Sequence, residues 1–261
     1  MSLRLLVFAI LFFSLPSQAF AGFDEGKEAY DKGKWIQAIM NLRPAVEKGD
    51  ARAMILLANM YMEGHGVGQD TKEAFTLYHG AAVQGNTDGM VAVATLYQTG
   101  NGTVANVPLA IGWFERAARL GNMDSALVYA IHMYQGSKGK DYDIKPDHEA
   151  AYRWFKIVAA NSKNKKQARA AGFSADNLVK SLTNDEVIRG DREVANWKPE
   201  LPENLGPDPE QKFLKDFNEK EKKEQEQKVE EKKEPAPAPA PVPEEKKPEE
   251  KKPAPKTQPK K

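Results

Sequence analysis

The residues "EGHGVGQD" (63–70) place glycines 64, 66 and 68 at alternate positions after an apolar stretch. Such backbone can cradle a phosphate, because glycine lets bare N–H groups approach an anion. A nucleotide loop also needs a lysine to reach the phosphates, and "GHGVGQDT" has none. The dinucleotide glycine motif must leave a strand, whereas the residues before Glu63 have helical spacing. The four histidines, His65, His79, His132 and His148, form no His-x-x-x-His or His-Glu-x-x-His pair that would set two zinc ligands on one helix face. "DYDIKPDHE" (141–149) alternates acids as a calcium loop does, but Pro146 stands where the loop needs glycine and Tyr152 where it needs glutamate. Ser125 and Ser137 lack the Gly-x-Ser-x-Gly elbow of an activated nucleophile. The expectation is a chain with no catalytic residues, no metal site and no cofactor.

Composition narrows the classes further. There is no cysteine, so disulfides, thiolate chemistry and a lipid anchor on cysteine are excluded. Lys and Arg number 38 against 37 acids. Nucleic acid is therefore not expected as a partner, because phosphate binding needs a net basic face. The cluster Lys163, Lys165, Lys166 and Arg169 reads as a solvated helix start. Residues 1–21 read as a signal peptide: Arg4, an apolar run from Leu5 to Leu15, the breaker Pro16, then Ala19-Phe20-Ala21 as the cleavage pattern. Eleven apolar residues make about 16 Å of helix, short of the roughly 30 Å of a bilayer core. A product starting at Gly22, periplasmic or secreted and with no integral membrane span, is expected. From Glu200 onward the chain holds twelve of its seventeen prolines among alternating Lys and Glu, a composition that buries too little surface to offset chain entropy.

The elements that would have to position any site come from a repeat. Gly64, Gly100 and Gly136 lie 36 residues apart. Ala53, Gly89 and Ser125 share that phase, as do Ala58, Ala94 and Ala130. Downstream, Ala74 and Ala110, Tyr78 and Phe114, and Gly85 and Gly121 correspond; after five extra residues Ala151, Trp154 and Phe155 continue the pattern. Each unit reads as two amphipathic helices, with Ala53, Leu57, Met60 and Tyr61 on one face of the first and Ala74, Leu77, Tyr78 and Ala81 on one face of the second. A single hairpin cannot cover its apolar face, and stacking does so. The glycines then become turn residues: Gly64 closes a helix, and Gly66, with Gly102 in the next unit, allows the turn into the following one.

"ARAMILLANMYMEGHGVGQDTKEAFTLYHGAAVQG" and "TDGMVAVATLYQTGNGTVANVPLAIGWFERAARLG" resemble the Sel-1-like repeats, relatives of the tetratricopeptide repeat, and "LTNDEVIRGDREVANWKP" (182–199) resembles the closing helix of exported bacterial members. The resemblance implies an all-α solenoid of about four antiparallel helix hairpins plus a C-terminal capping helix, followed by a disordered tail. The units fall at about 22–49, 50–85, 86–121 and 122–161, closing helices at 162–199, and a Lys/Glu/Pro/Ala-rich tail at 200–261. First helices of such solenoids line the concave side, which makes Asn59, Met62, Thr95, Gln98, Ile131 and Tyr134 the candidate contacts for a protein or peptide partner. The function expected is a non-catalytic scaffold in the bacterial cell envelope, with the tail contacting envelope components. The rival readings are an envelope enzyme or activator acting on peptidoglycan or exopolysaccharide, and a secreted host-interaction factor.

Overall fold

The computed structural model describes residues 21–215 and residue 219. The expected signal peptide thus lies outside the described residues except for Ala21, and so does most of the expected tail. Helix hairpins follow one another along the chain: α1 (Ala21–Asp31) with α2 (Trp35–Glu47), α3 (Ala51–Glu63) with α4 (Thr71–Val83), α5 (Thr87–Thr99) with α6 (Val107–Arg119), and α7 (Met123–Gln135) with α8 (His148–Asn161).

The starts of these helices repeat as faithfully as their packing faces. Asp50, Asn86 and Asn122 cap α3, α5 and α7 by accepting from main-chain N–H groups, and Asp70, Asn106 and Asp147 do the same for α4, α6 and α8. Each cap satisfies an orphan donor and contributes about 1 kcal/mol. The same three residues tie each link back to its first helix through their main-chain N–H groups: that of Asp70 donates to the Tyr61 carbonyl, that of Asn106 to the Tyr97 carbonyl and that of Asp147 to the Met133 carbonyl.

Small residues set the distance between helices. Ala53, Ala58, Ala94 and Ala130 are fully buried. At Gly89, matched to Ala53 and Ser125, an added Cβ would come within 2.8 Å of the Ala82 nitrogen, so the second unit tolerates nothing larger there. Two cores result: one runs from α1 to α6, and the other joins α6, α7, α8 and α9 (Lys165–Leu178).

The third link departs from the other two. Gly64 and Gly100 end their helices in the left-handed conformation, at φ 73° and 74°, whereas Gly136 combines φ 66° with an extended ψ of −174°. The chain then forms a hairpin of β1 (Ser137–Lys138) and β2 (Asp143–Ile144), with Ser137 opposite Ile144. The cause is local. Gly66 and Gly102 nest against the start of the preceding second helix: a Cβ would stand 2.6 Å from the Trp35 Cβ in one case and 2.1 Å from the Thr71 carbonyl oxygen in the other. Lys138 holds the equivalent place in the third link and cannot nest, so the lengthened link pairs with itself.

A capping box of Thr183 and Glu186 starts the closing helix α10 (Asn184–Asn196), which lies on α8. Asp191 accepts from the Tyr152 phenol at 2.8 Å and from Lys156 at 2.7 Å, Arg189 holds Glu149 through two bonds, and Trp197 meets Trp154 edge-on.

The tail expected from residue 200 requires correction. Residues 199–210 touch the solenoid: the chain turns back over α6 and α4 and forms a 3-10 turn at Pro202–Asn204, and it is helical from 209 to 215, with 211–215 exposed. Leu205 is only 5% exposed and joins the first core, which supplies the apolar burial that composition alone did not suggest.

Candidate functional site

The strap, residues 199–210, sits in a groove between α4 and α6. Three prolines rest on three glycines: a Cβ at Gly121 would lie 3.1 Å from Pro199, at Gly85 2.6 Å from Pro202, and at Gly112 3.0 Å from Pro209. Arg119 grips the Glu200 carboxylate through two bonds, of 2.8 and 2.6 Å, while the Glu200 N–H donates to the Arg119 carbonyl. Arg116 reads main chain instead. Its Nη1 donates to the Gly206 and Pro207 carbonyls at 3.0 Å each and to that of Leu205 at 3.4 Å. At the far end Trp113 Nε1 donates to Glu210 Oε1 at 2.8 Å, with His79 Nε2 at 3.5 Å from the same oxygen. The other carboxylate oxygen is buried with no hydrogen-bond partner of its own, and the Tyr97 phenol lies beside the group.

The electrostatics follow from this enclosure. Burial pushes the Glu210 carboxyl up, but the His79 imidazole and the Trp113 indole N–H, with the Tyr97 phenol beside them, outweigh it and hold the group below the ordinary glutamate range. The same contact raises the His79 imidazole against its own desolvation. Glu200 raises Arg119, whereas desolvation lowers Arg116. Chemically the groove is a peptide clamp: one bidentate carboxylate grip, one main-chain grip, one apolar socket and one enclosed carboxylate site.

The row expected to bind partners lies on α3, α5 and α7 and changes character along the chain. Asn59 is half-buried and accepts a hydrogen bond from the Tyr78 phenol, whose pKa is pushed up to about 12, chiefly by burial. In the next unit Phe114 replaces that tyrosine, so Thr95 stays exposed and satisfies itself on the Val91 carbonyl. Met62 packs on the first core, and Gln98 is exposed. Ile131 and Tyr134 are 38% and 48% exposed, and Tyr134 lies against the His148 ring. The face is therefore engaged internally near α3 and open near α5 and α7.

The glycines of "EGHGVGQD" stand in the turn between α3 and α4, Gly64 and Gly66 at positive φ. His65 stacks on Trp35 with ring centroids 4.2 Å apart, and Gly66 abuts the same tryptophan. Among the described residues no group of three or more His, Asp or Glu is arranged to hold a metal ion, and no helix is long and apolar enough to cross a membrane. A hollow of about 410 Å³ between α1 and α2 is lined by Glu25, Glu28, Lys32 and Lys34, of which Lys32 and Glu28 already pair with each other.

Residues 51–86, 87–122 and 126–162 each match the Sel1 repeat. The chain contains three Sel1 repeats. A Sel1-repeat protein of Oxalobacter formigenes has a similar fold, with a TM-score of 0.52 at 20% identity over 66% of this chain and 70% of that one. Two rhizobial proteins named exopolysaccharide production negative regulators are also similar. That of Rhizobium leguminosarum bv. viciae is 42% identical over 71 residues, 27% of each chain, and that of Rhizobium meliloti is 41% identical over 68 residues, 26% of this chain and 25% of its own. The chain thus matches about a quarter of the length of these curated relatives.

Comparison among the Sel1 units shows what reading the repeat alone missed. Gly112, Arg116 and Arg119 of α6 stand where α4 has Thr76, Gly80 and Val83 and where α8 has Arg153, Ile157 and Ala160. None of the three serves the repeat packing, and all three hold the strap. The signal was present in the sequence as departures from the repeat.

Proposed function

We propose that this chain is a non-catalytic scaffold that holds protein or peptide segments in the bacterial cell envelope. The observation that supports it is the α4–α6 groove, which grips a chain segment through a main-chain reader and two carboxylate sites. Exposed side chains at Thr95, Gln98, Ile131 and Tyr134 offer a second contact face, and the Lys/Glu/Pro tail a third, toward envelope components. Export rests on the Leu5–Leu15 run and its Ala19-Phe20-Ala21 pattern. Fractionation with N-terminal sequencing tests it: a periplasmic or secreted product starting at Gly22 is expected, and an uncleaved membrane-bound product rejects it. Crosslinking and pull-down from the envelope test the binding role. Asn59, Gln98 and Tyr134 changed together, and Arg116 and Arg119 changed together, are each compared with wild type. Partner sets unchanged by both would reject the scaffold surfaces named here.

The similarity to rhizobial negative regulators of exopolysaccharide production favours a regulatory use of the scaffold. Deletion of the gene then raises exopolysaccharide output, and unchanged output rejects that use.

A further inference from the structure

We propose that the α4–α6 groove is a recognition site for a short, proline-punctuated acidic segment of a partner protein, and that residues 199–210 are its occupant in cis. This deepens the scaffold reading and rests on it. The strap shows the ligand chemistry directly, since "PELPENLGPDPE" spaces Glu200, Leu205 and Glu210 at intervals of five residues. Each of the three has its own receptor: Arg119 for the first carboxylate, the first core for the leucine, Trp113 with His79 for the second carboxylate. Arg116 adds a grip on carbonyl oxygens, which any peptide of similar course supplies. The three glycines beneath the prolines fix where the partner must also carry small-footprint, turn-forming residues.

The same inventory shows why the strap can be displaced. Leu205 is its one buried apolar side chain among those described, while Leu201 and Leu214 are 58% and 57% exposed. Beside it stand the three proline–glycine contacts and a set of polar holds, of which the Arg119–Glu200 pair is about one-third exposed and so contributes little net energy. Tethering compensates, because a short linker gives an effective concentration on the order of millimolar. A partner segment with the same chemistry and a better apolar anchor would therefore replace it, freeing the strap and everything after it.

The test uses the full chain from Gly22, wild type and an E200Q/L205S/E210Q variant, titrated with a fluorescent peptide of sequence PELPENLGPDPE by anisotropy. The loosened variant is expected to bind the peptide at least about tenfold more tightly than wild type, whose own strap competes. Adding Arg116→Ala and Arg119→Ala to the loosened variant should abolish binding, and a peptide with lysine for its glutamates should not bind. A loosened variant that keeps its helical circular dichroism, exposes its strap to protease and still takes no peptide overturns the proposal. Loss of the fold on loosening also overturns it, by making the strap structural. Dimers formed by strap exchange overturn it in favour of a second copy as occupant. If the peptide fails to bind while envelope crosslinking still captures partners, the groove assignment falls and the scaffold reading stands.

Discussion

Gly102→Ala should be among the most damaging single-methyl additions in this chain, and the neighbouring links carry their own controls. Gly102 has φ +78°, where an L side chain is strained by about 1 kcal/mol or more. The added Cβ would also stand 2.1 Å from the Thr71 carbonyl oxygen and 2.6 Å from its carbon. Both are backbone atoms at the start of α4, so no rotamer change relieves the clash, and overpacking of this kind costs about 1–3 kcal/mol. The sum is about 2–4 kcal/mol. Gly66→Ala meets the Trp35 Cβ at 2.6 Å and should cost nearly as much. Gly64→Ala, at φ +73° with its nearest neighbour 3.5 Å away, carries the strain alone, about 1 kcal/mol. Gly68 has open space and no positive φ, so Ala there should be neutral or stabilise by a few tenths of a kcal/mol through the unfolded chain. Urea unfolding followed by circular dichroism reads the series, with m-values checked because repeat arrays can lose two-state behaviour. A Gly102→Ala protein within about 0.5 kcal/mol of wild type would refute the account of these glycines as inter-unit contacts, as would equal effects at Gly68 and Gly102.

Ser125→Ala should stabilise by about 1 kcal/mol, since the Ser125 hydroxyl is buried without a partner and Ala53 fills the same place two units earlier; a lower urea midpoint would contradict this. A chain ending at residue 199 should melt below one ending at residue 215, because it uncovers the core under Leu205. The difference should stay under about 2 kcal/mol, as the entropy of ordering the strap offsets part of the leucine's burial. Equal melting would show that the strap adds nothing to the core. Strap docking should also depend on pH. Glu210 is lowered in the docked state, so its contribution is present above the ordinary glutamate value of 4.5 and is lost as pH falls through the lowered value. His79 is raised, so its contribution is full below the ordinary histidine value of 6.5 and is lost as pH rises through the raised one. Asp208 adds to the raising of His79, and Tyr97, elevated by burial and Glu210, stays neutral throughout. Protease cleavage within 199–215 should be slowest between those two values, and His79→Gln should remove the alkaline rise; cleavage unaffected by pH would contradict the pairing.

The helices and their stacking were legible because helix packing within a repeat depends on small residues at fixed places, and Ala58, Ala94 and Ala130 recur at the spacing that the caps Asp50, Asn86 and Asn122 also keep. The strap was not legible, because prolines and alternating charge carry the composition of a disordered chain and one leucine does not change that average. Its seat can be recognised only from the other side. A glycine inside a helix costs about 1 kcal/mol relative to alanine, and Gly112 occupies such a place where the flanking units have threonine and arginine. The repeat does not need it, and Pro209 rests on it. Asn59 illustrates the converse: its position in the repeat marks it as a partner contact, but the tyrosine at 78, absent from the equivalent place in the next unit, engages its side chain internally. In this chain agreement between units reports the repeat fold, and the disagreements in α6 report the contacts made with the strap. By that criterion α6, with Gly112, Arg116 and Arg119 all differing from their counterparts in the other units, is the element on which mutational work should begin.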